Sequence, residues 1–237
     1  SGPAPKSLSV AALKDRGFEK IPSYGVEPID VPGAVAGWMT LHERFGKLPL
    51  EEVMAPAIRY AEKGYPVTPN ISRLWQEAFE NYSKYRDRPE FQGWFDTFAP
   101  NNTWLKPGEM FRCPDMAKTL KEIAATKGEA FYRGAIAEKI DAFFKKHNGF
   151  LTKEDLAAFK PEWVDPISVN YHGVDVWELP PNGHGITVLM ALQILKDMNL
   201  AERDCADTMH KQIEAMKLAM VDTAEYVAEP SFMRVSV

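Results

Sequence analysis

The sequence predicts an α+β fold that is mostly helical and carries one small antiparallel hairpin. Apolar side chains recur at helical spacing over most of the chain, and caps or glycines mark where these segments begin and end. The clearest strands are residues 167–171 and 174–179, joined by His172-Gly173, a pair that favours a tight turn. With 237 residues, 45% of them hydrophobic, the chain is long enough to bury a substantial core.

The helical segments follow from apolar spacing and from their boundary residues. Gly64 and Gly128 are expected to end two of them, and Asp115 to cap another. Thr152 and Asp155 have the spacing of a capping box. The predicted helices are, in order, 10–14, 33–46, 50–63, 70–85, 115–127, 129–147, 152–159, 185–198 and 204–227.

Two stretches carry more specific expectations about packing. The helix over 129–147 is expected to place one apolar face inward, formed by Phe131, Ile136, Ile140 and Phe143. Residues 86–112 are rich in proline, glycine and asparagine and are predicted to be a long irregular segment. Its aromatic residues are expected to fold back on the body of the protein as core, the alternative being that they meet another chain. These residues are Trp94, Phe95, Phe98 and Trp104.

Composition and motif searches exclude several classes of function. A net charge of −5 argues against a nucleic-acid surface, and no run approaches the ~20 apolar residues that span a bilayer. Cys113 and Cys205 have neither CxxC nor zinc spacing. His42-Glu43 begins like a zinc-protease motif, but Gly46 stands where the second histidine is required. The sequence therefore implies no metal and no cofactor.

One turn is a candidate binding site. Asn182, Gly183, His184 and Gly185 follow Pro180-Pro181 between a predicted strand and a predicted helix. A glycine-containing turn at a helix start can direct backbone N–H groups at an anion. It lacks the Gly-Lys-Ser/Thr of a phosphate loop and the third glycine of a dinucleotide fingerprint. The alternative is a structural turn that glycine allows to pack closely.

Five segments, in order and at fitting spacing, resemble one enzyme family. They are 31–50 (VPGAVAGWMTLHERFGKLPL), 55–67 (APAIRYAEKGYPV), 130–137 (AFYRGAIA), 149–157 (GFLTKEDLA) and the hairpin with its turn, 171–186. On these segments nearly the whole chain is similar to the γ-glutamyltranspeptidases, which are N-terminal-nucleophile hydrolases. The resemblance implies a four-layer αββα sandwich and a precursor that cuts itself into large and small subunits.

The resemblance also implies a mechanism and a set of partners. A threonine at the start of the small subunit attacks the γ-glutamyl amide, with its own α-amine available as base. Residues 1–237 are then expected to be a single domain, an interior fragment of the large subunit in which the sandwich is incomplete. The implied partners are the small subunit, a γ-glutamyl small molecule such as glutathione, and possible further copies in a homo-oligomer. The family resemblance points to a periplasmic or extracellular location, with the cytoplasm left open.

Three features depart from the family pattern. The chain reaches Val237 before the family's processing site and threonine, so we expect no catalytic residue in it. The family holds the substrate α-carboxylate with an arginine just ahead of an Ala-Pro pair, where this chain has residues 1–5, SGPAP. A bidentate arginine–carboxylate clamp is hard to replace. Near the last helix, Asp222-Thr223 stands where the family has Asp-Arg.

Other functions remain open on the sequence alone. The chain can be a non-catalytic helical interaction module, an acylase of different acyl specificity, or a stand-alone hydrolase that uses its own serine and histidine. A large subunit without its partner should also expose apolar surface and self-associate. The residues expected at that seam are Val176, Leu179, Ile186, Val188 and Leu189.

Overall fold

The computed structural model describes residues 2–200 and 202–235. The chain divides into two compact units, Ser1–Pro161 and Glu162–Val237. Each unit is described by itself below. The expectation of a single domain over residues 1–237 stays a prediction, because this division does not show whether the two units fold independently.

The first unit is built from helices and one minimal sheet. Its helices are α1 (Val10–Asp15), α2 (Ala34–Phe45), α3 (Leu50–Lys63), α4 (Pro69–Tyr82), α5 (Gln92–Phe98), α6 (Pro114–Thr126), α7 (Glu129–Arg133), α8 (Ala135–Lys146) and α9 (Lys153–Ala158). Strands β1 (Tyr65–Pro66) and β2 (Met110–Phe111) pair antiparallel, with Tyr65 opposite Phe111. The sequence did not predict this sheet, since a two-residue strand has no alternation to detect.

One continuous apolar core joins most of these helices. Its buried residues are Val26, Val31, Val35, Leu50, Met54, Ile123, Ala124, Ala130, Tyr132, Ile136, Ala137, Phe144, Leu151 and Leu156. They come from α2, α3, α6, α7, α8 and α9, from the segment that precedes α2 and from the loop between α8 and α9. Burial of side chains from six helices in one cluster makes the hydrophobic effect the main stabilising contribution to this unit.

The aromatic segment differs from its prediction. Residues 86–112 are not irregular throughout, because they contain α5, a short 3₁₀ turn at Pro89–Phe91 and strand β2. Phe95 is buried beside Phe91, and Trp94 packs partly buried against the same cluster. The indole of Trp94 lies 4.6 Å from the Tyr82 ring. Phe98 packs against Trp75, and Trp104 against Phe79. The prediction that these aromatic residues fold back on the body is therefore confirmed.

Three other predictions within this unit were wrong in detail. The helix predicted over 129–147 is broken at Gly134, whose φ of −127° and ψ of −150° are not helical. Phe143 is 40% exposed, and the neighbouring Phe144 is buried instead, because the inward stripe of α8 runs through Ile136, Ile140 and Phe144 at spacings of four residues. Asp115 does not cap α6, because Cys113 occupies that position and Asp115 lies in the first turn.

The second unit contains the predicted hairpin followed by two helices. Strand β3 (Ile167–Tyr171) pairs antiparallel with β4 (Val174–Glu178), and Tyr171 lies opposite Val174. The turn residues His172 and Gly173 have φ values of 50° and 86°, as the turn types that match strand twist require. Helices α10 (Gly185–Leu195) and α11 (Ala206–Tyr226) follow. Within residues 2–200 and 202–235, the fold is thus mostly helical, with two two-stranded antiparallel sheets.

The predicted apolar seam is exposed in part. Leu179 and Val188 are 65% and 40% exposed, whereas Val176 and Ile186 are half-buried. Leu189 is buried, so its assignment to an exposed seam was wrong: it lies on the inward face of α10. A second exposed stripe, not predicted, runs along α11. We call it the α11 stripe, and its members are Met209, Ile213, Met216 and Met220.

A pair of buried carboxylates ties the N-terminal segment to α8 and α9. Asp155 accepts hydrogen bonds from the Lys6 N–H at 3.0 Å and from the Thr152 N–H and hydroxyl at 3.0 and 2.7 Å. The Thr152 hydroxyl in turn caps α9, which completes the predicted capping box. Asp141 of α8 accepts the N–H of Lys153, the first residue of α9, at 3.1 Å.

These contacts set the pKa of Asp155. Burial of the carboxyl raises this pKa, but the N–H of Lys6 and the hydroxyl and N–H of Thr152 outweigh burial and hold it below the ordinary value of 3.8. A carboxyl whose pKa is depressed on folding stabilises the protein fully above its unfolded-state pKa. That contribution is lost as the pH falls from there through the folded-state pKa.

We predict that Asp155→Asn destabilises the protein at neutral pH and weakens its response to acid. An amide keeps only one accepting oxygen, so either the Lys6 bond to Oδ1 or the two Thr152 bonds to Oδ2 are lost, and the free energy of unfolding should fall by about 1–3 kcal/mol. Urea unfolding at neutral pH and at pH values below 3.8 measures both effects. Glu154→Gln, an exposed neighbour in the same turn, is the control and should change stability by less than about 0.5 kcal/mol. Equal losses in the two variants would contradict the assignment.

Candidate functional site

The candidate turn lies between the end of β4 and the start of α10. Asn182, Gly183 and His184 are exposed and Gly185 is half-buried, so the structure places all four in one surface turn. His184 is the N-terminal cap position of α10, but its side chain makes no capping hydrogen bond. Its carbonyl accepts the Thr187 N–H at 3.0 Å. The turn therefore presents an amide and an imidazole to solvent, both able to donate and accept hydrogen bonds.

A carboxylate already lies against the start of α10. Glu178, the last residue of β4, is half-buried beside Gly185. A methyl group placed on Gly185 would lie 2.8 Å from Cδ of Glu178, so the missing side chain of Gly185 allows the glutamate to lie this close in its present rotamer. Negative charge is favourable at a helix N-terminus. This contact could not be predicted from the sequence, because Glu178 is simply one residue of an alternating strand.

A buried hydroxyl pair fixes the first turn of α10 to α11. Thr187 and Thr223 are both buried, and their Oγ1 atoms lie 2.7 Å apart. The Thr223 hydroxyl also contacts the Ala219 carbonyl at 2.7 Å and donates its proton there. Thr187 must then be the donor to Thr223, because each hydroxyl has one proton. Thr223, which stands where the family resemblance implies arginine, is thus a packing residue. Through Thr187 it holds α10, the helix that begins at the candidate turn.

The N-terminal segment is held by backbone bonds and presents no cationic side chain over residues 2–5. The Gly2 N–H donates to the Val31 carbonyl at 2.8 Å, and the Val31 N–H donates to the Pro3 carbonyl at 3.0 Å. Any Cβ on Gly2 would lie 2.7 Å from the Val31 oxygen, so this approach requires glycine. Ser1 lies outside the described residues. Pro3 is exposed where the family resemblance implies the carboxylate-binding arginine.

The described residues contain no assembled nucleophile and base. Across residues 2–200 and 202–235, no hydrogen bond joins a serine, threonine or cysteine side chain to a histidine, and His42 instead contacts the Leu48 carbonyl. In the same residues no group of three or more His, Cys, Asp or Glu is placed to hold a metal ion. Cys113 and Cys205 are free thiols. None of the described helices is long and apolar enough to cross a membrane.

Comparison with known proteins gives a consistent result. The sequence profile described as Gamma-glutamyltranspeptidase matches residues 1–237. The glutathione hydrolase proenzyme of Pseudomonas aeruginosa is 33% identical over 242 aligned residues, which cover 99% of this chain and 42% of that protein. The chain therefore spans less than half the length of this curated relative.

Two solved structures extend the comparison. The cephalosporin acylase of Bacillus halodurans matches with a TM-score of 0.96 and 52% identity, covering 100% of this chain and 44% of that one. The γ-glutamyltranspeptidase of Helicobacter pylori matches with a TM-score of 0.86 and 28% identity, covering 99% of this chain and 67% of that one. Both units of this chain thus have counterparts in these proteins.

We predict that the Thr187–Thr223 pair behaves as a coupled unit. Thr223→Val alone leaves the buried Thr187 hydroxyl without its acceptor and should cost about 1–3 kcal/mol of stability. Replacing both residues by valine removes both polar groups at nearly constant volume, so the double variant should be more stable than the sum of the single variants implies. A double-mutant cycle by urea unfolding measures the coupling. Additive effects would show that the hydroxyls do not interact.

Proposed function

Because the chain belongs to the γ-glutamyltranspeptidase family, we propose that it is the large-subunit portion of an enzyme that cleaves γ-glutamyl amides such as glutathione. The nucleophilic threonine then lies outside these 237 residues. The observation that carries this proposal is the full-length match of the chain to 42% and 44% of two relatives, one of them named a proenzyme.

The proposed chemistry is an acyl transfer through a covalent intermediate. The threonine oxygen attacks the γ-glutamyl carbonyl carbon, its proton passes to the threonine's own α-amine, and the amine product leaves with a proton. Water or an amino acid then attacks the ester and releases the acyl group. The large-subunit portion contributes no group to bond making in this scheme. It contributes the scaffold and polar contacts to substrate.

Within this chain, Asn182 and His184 are the residues we propose for substrate contact. Both are exposed in the turn and carry side chains that donate and accept hydrogen bonds. The backbone N–H groups at the start of α10 serve less well for a substrate carboxylate, since Glu178 lies beside Gly185 with a charge of the same sign. The proposed contact is therefore through side chains rather than through the helix N-terminus.

A second candidate is an acylase of different acyl specificity. It is favoured by the 52% identity to a protein named a cephalosporin acylase and by the absence of a cationic side chain at residues 2–5. A charge-assisted hydrogen bond contributes about 1.5–3 kcal/mol, so its absence should remove much of the preference for an α-carboxylate. The two candidates share the nucleophile and differ in the acyl donor.

Expression with and without the downstream part of the reading frame tests the proposal. We expect the isolated 237-residue chain to show no turnover of γ-glutamyl-p-nitroanilide, because it lacks the nucleophile. The longer protein should be processed and active, and replacing its small-subunit threonine by alanine should abolish both properties. Turnover by the pure isolated chain, in proportion to its concentration, would overturn the proposal.

The same active protein distinguishes the two candidates. The 4-aminobutanoyl anilide lacks the α-carboxylate of the γ-glutamyl substrate but keeps an amine. A γ-glutamyl specialist should lose more than about tenfold in kcat/KM on this change, as expected for a lost charge-assisted bond. A smaller loss identifies the acylase. Pro3→Arg, with Pro3→Met as its uncharged control, should then increase the preference for the carboxylate.

We also propose that the small subunit covers the α11 stripe and the exposed hairpin face. Met209, Ile213, Met216 and Met220 recur with spacings of four, three and four residues, which places them in one line on the helix. Leu179 and Trp177 of the hairpin segment are 65% and 58% exposed. Contiguous exposed apolar surface commonly marks an interface.

We predict that the isolated chain self-associates through this surface at micromolar concentration. Ile213→Glu combined with Met220→Glu should shift sedimentation toward monomer without loss of stability, because both side chains are exposed. The same pair should weaken assembly with the small subunit. Val10→Glu, at a position 70% exposed in the first unit, is the matched control and should change neither property. A monomeric unmodified chain that binds no hydrophobic dye would contradict this prediction.

A further inference from the structure

The chain contains two Asn-Gly pairs, Asn148-Gly149 and Asn182-Gly183. In such a pair the backbone nitrogen after asparagine can attack the side-chain amide carbon, because glycine offers no side chain to hinder the approach. The reaction requires that the N–H of this nitrogen donate no hydrogen bond and that the backbone be able to move. The two pairs differ in both respects, which makes each a control for the other.

The Asn148-Gly149 pair is protected. The Gly149 N–H donates to the Phe144 carbonyl at 2.8 Å, so the attacking nitrogen is already engaged. The Asn148 carbonyl accepts a hydrogen bond from the Arg16 guanidinium at 2.5 Å. A Cβ on Gly149 would lie 3.1 Å from the Val26 side chain, which shows how closely this turn is packed. Attack by Gly149 would require this packing to open.

The Asn182-Gly183 pair is open. Both residues are exposed, and a Cβ on Gly183 would meet nothing within 4 Å. Residues 181 and 182 form a turn, but among the described residues 2–200 and 202–235 no acceptor meets the full hydrogen-bond geometry with the Gly183 N–H. Exposed turns of this kind are the parts of a protein that move most readily. The attacking nitrogen is therefore available, and the chain around it is free to adjust.

We propose that Asn182 is a site of spontaneous deamidation. The Gly183 nitrogen loses its proton to solvent base and bonds to Cγ of Asn182. The Cγ–Nδ2 bond then breaks and the nitrogen leaves as ammonia. Water hydrolyses the resulting succinimide to aspartate or isoaspartate, with no oxidant or reductant involved. This inference does not rest on the proposed function.

The modification places a new negative charge in the candidate turn. The carboxylate arises three residues before Gly185, against which the Glu178 carboxylate already lies. The isoaspartyl product also lengthens the backbone of the turn by one atom. Both changes alter the surface that precedes α10, so the chain acquires a covalently distinct form with age.

Peptide mass spectrometry of the aged intact chain tests the proposal. The chain is incubated in mildly alkaline buffer at physiological temperature and then digested with trypsin and a glutamate-specific protease. Peptide 179–196 reports Asn182 and peptide 147–153 reports Asn148. We expect the conversion to acid to be at least about tenfold faster at Asn182, since Gly149 must first break its hydrogen bond. Equal rates in the folded chain would overturn the proposal.

Two controls separate structure from sequence. Gly183→Ala has room for its methyl group and should slow conversion at Asn182 at least about tenfold, without changing the melting temperature. Unchanged conversion in this variant would overturn the mechanism. Incubation in denaturant should bring the rates at Asn148 and Asn182 together, because the protecting contacts are then lost. A rate ratio that persists in denaturant would overturn the structural explanation.

Discussion

The buried hydroxyl of Tyr132 is the contact on which the arrangement of the first unit depends. It donates to the Pro32 carbonyl at 2.7 Å and accepts the Ala36 N–H at 3.0 Å, joining α7 to the start of α2 across about a hundred residues. Burial raises the pKa of this phenol, although the Ala36 N–H partly opposes the rise. A buried hydroxyl that is fully paired stabilises the fold, whereas one left unpaired costs about 1–3 kcal/mol. The same contact satisfies one of the N–H groups that every helix start leaves free.

The contact of Tyr132 with Pro32 is connected to the N-terminal segment through Val31. Pro32 follows Val31, whose backbone pairs with Gly2 and Pro3 through two hydrogen bonds. A second anchor, Asp155, holds Lys6 from the other end of the unit. The segment in which the family resemblance implies a carboxylate-binding arginine is therefore held by backbone hydrogen bonds, although residues 2–5 carry no cationic side chain. Under the proposed function, a different side chain at Pro3 would change the acyl preference without moving the backbone, since the backbone is held by contacts that do not involve that side chain.

The helices and the hairpin turn were predicted well where residues close in sequence determine the local structure. Prediction failed where contacts between residues far apart in sequence determine it. Capping by Thr152 and the hairpin turn at His172-Gly173 depend on residues a few positions apart, and both were confirmed. The break at Gly134 was missed because apolar spacing continues through it. The pairing of β1 with β2 joins residues more than forty positions apart in strands of two residues. No local pattern predicts such a pairing, because its stability comes from tertiary packing.

The candidate turn, too, could be predicted from the sequence only in part. Its position was predictable, since a strand, a glycine-containing turn and a helix succeed one another in sequence. Its electrostatics were not, because the charge of Glu178 reaches Gly185 only after the strand and helix have packed. That carboxylate makes the start of α10 a poor place for a second anion, despite the favourable helix dipole. An anion site argued from a glycine turn therefore needs one further check: whether the protein already supplies the negative charge that the helix N-terminus would attract.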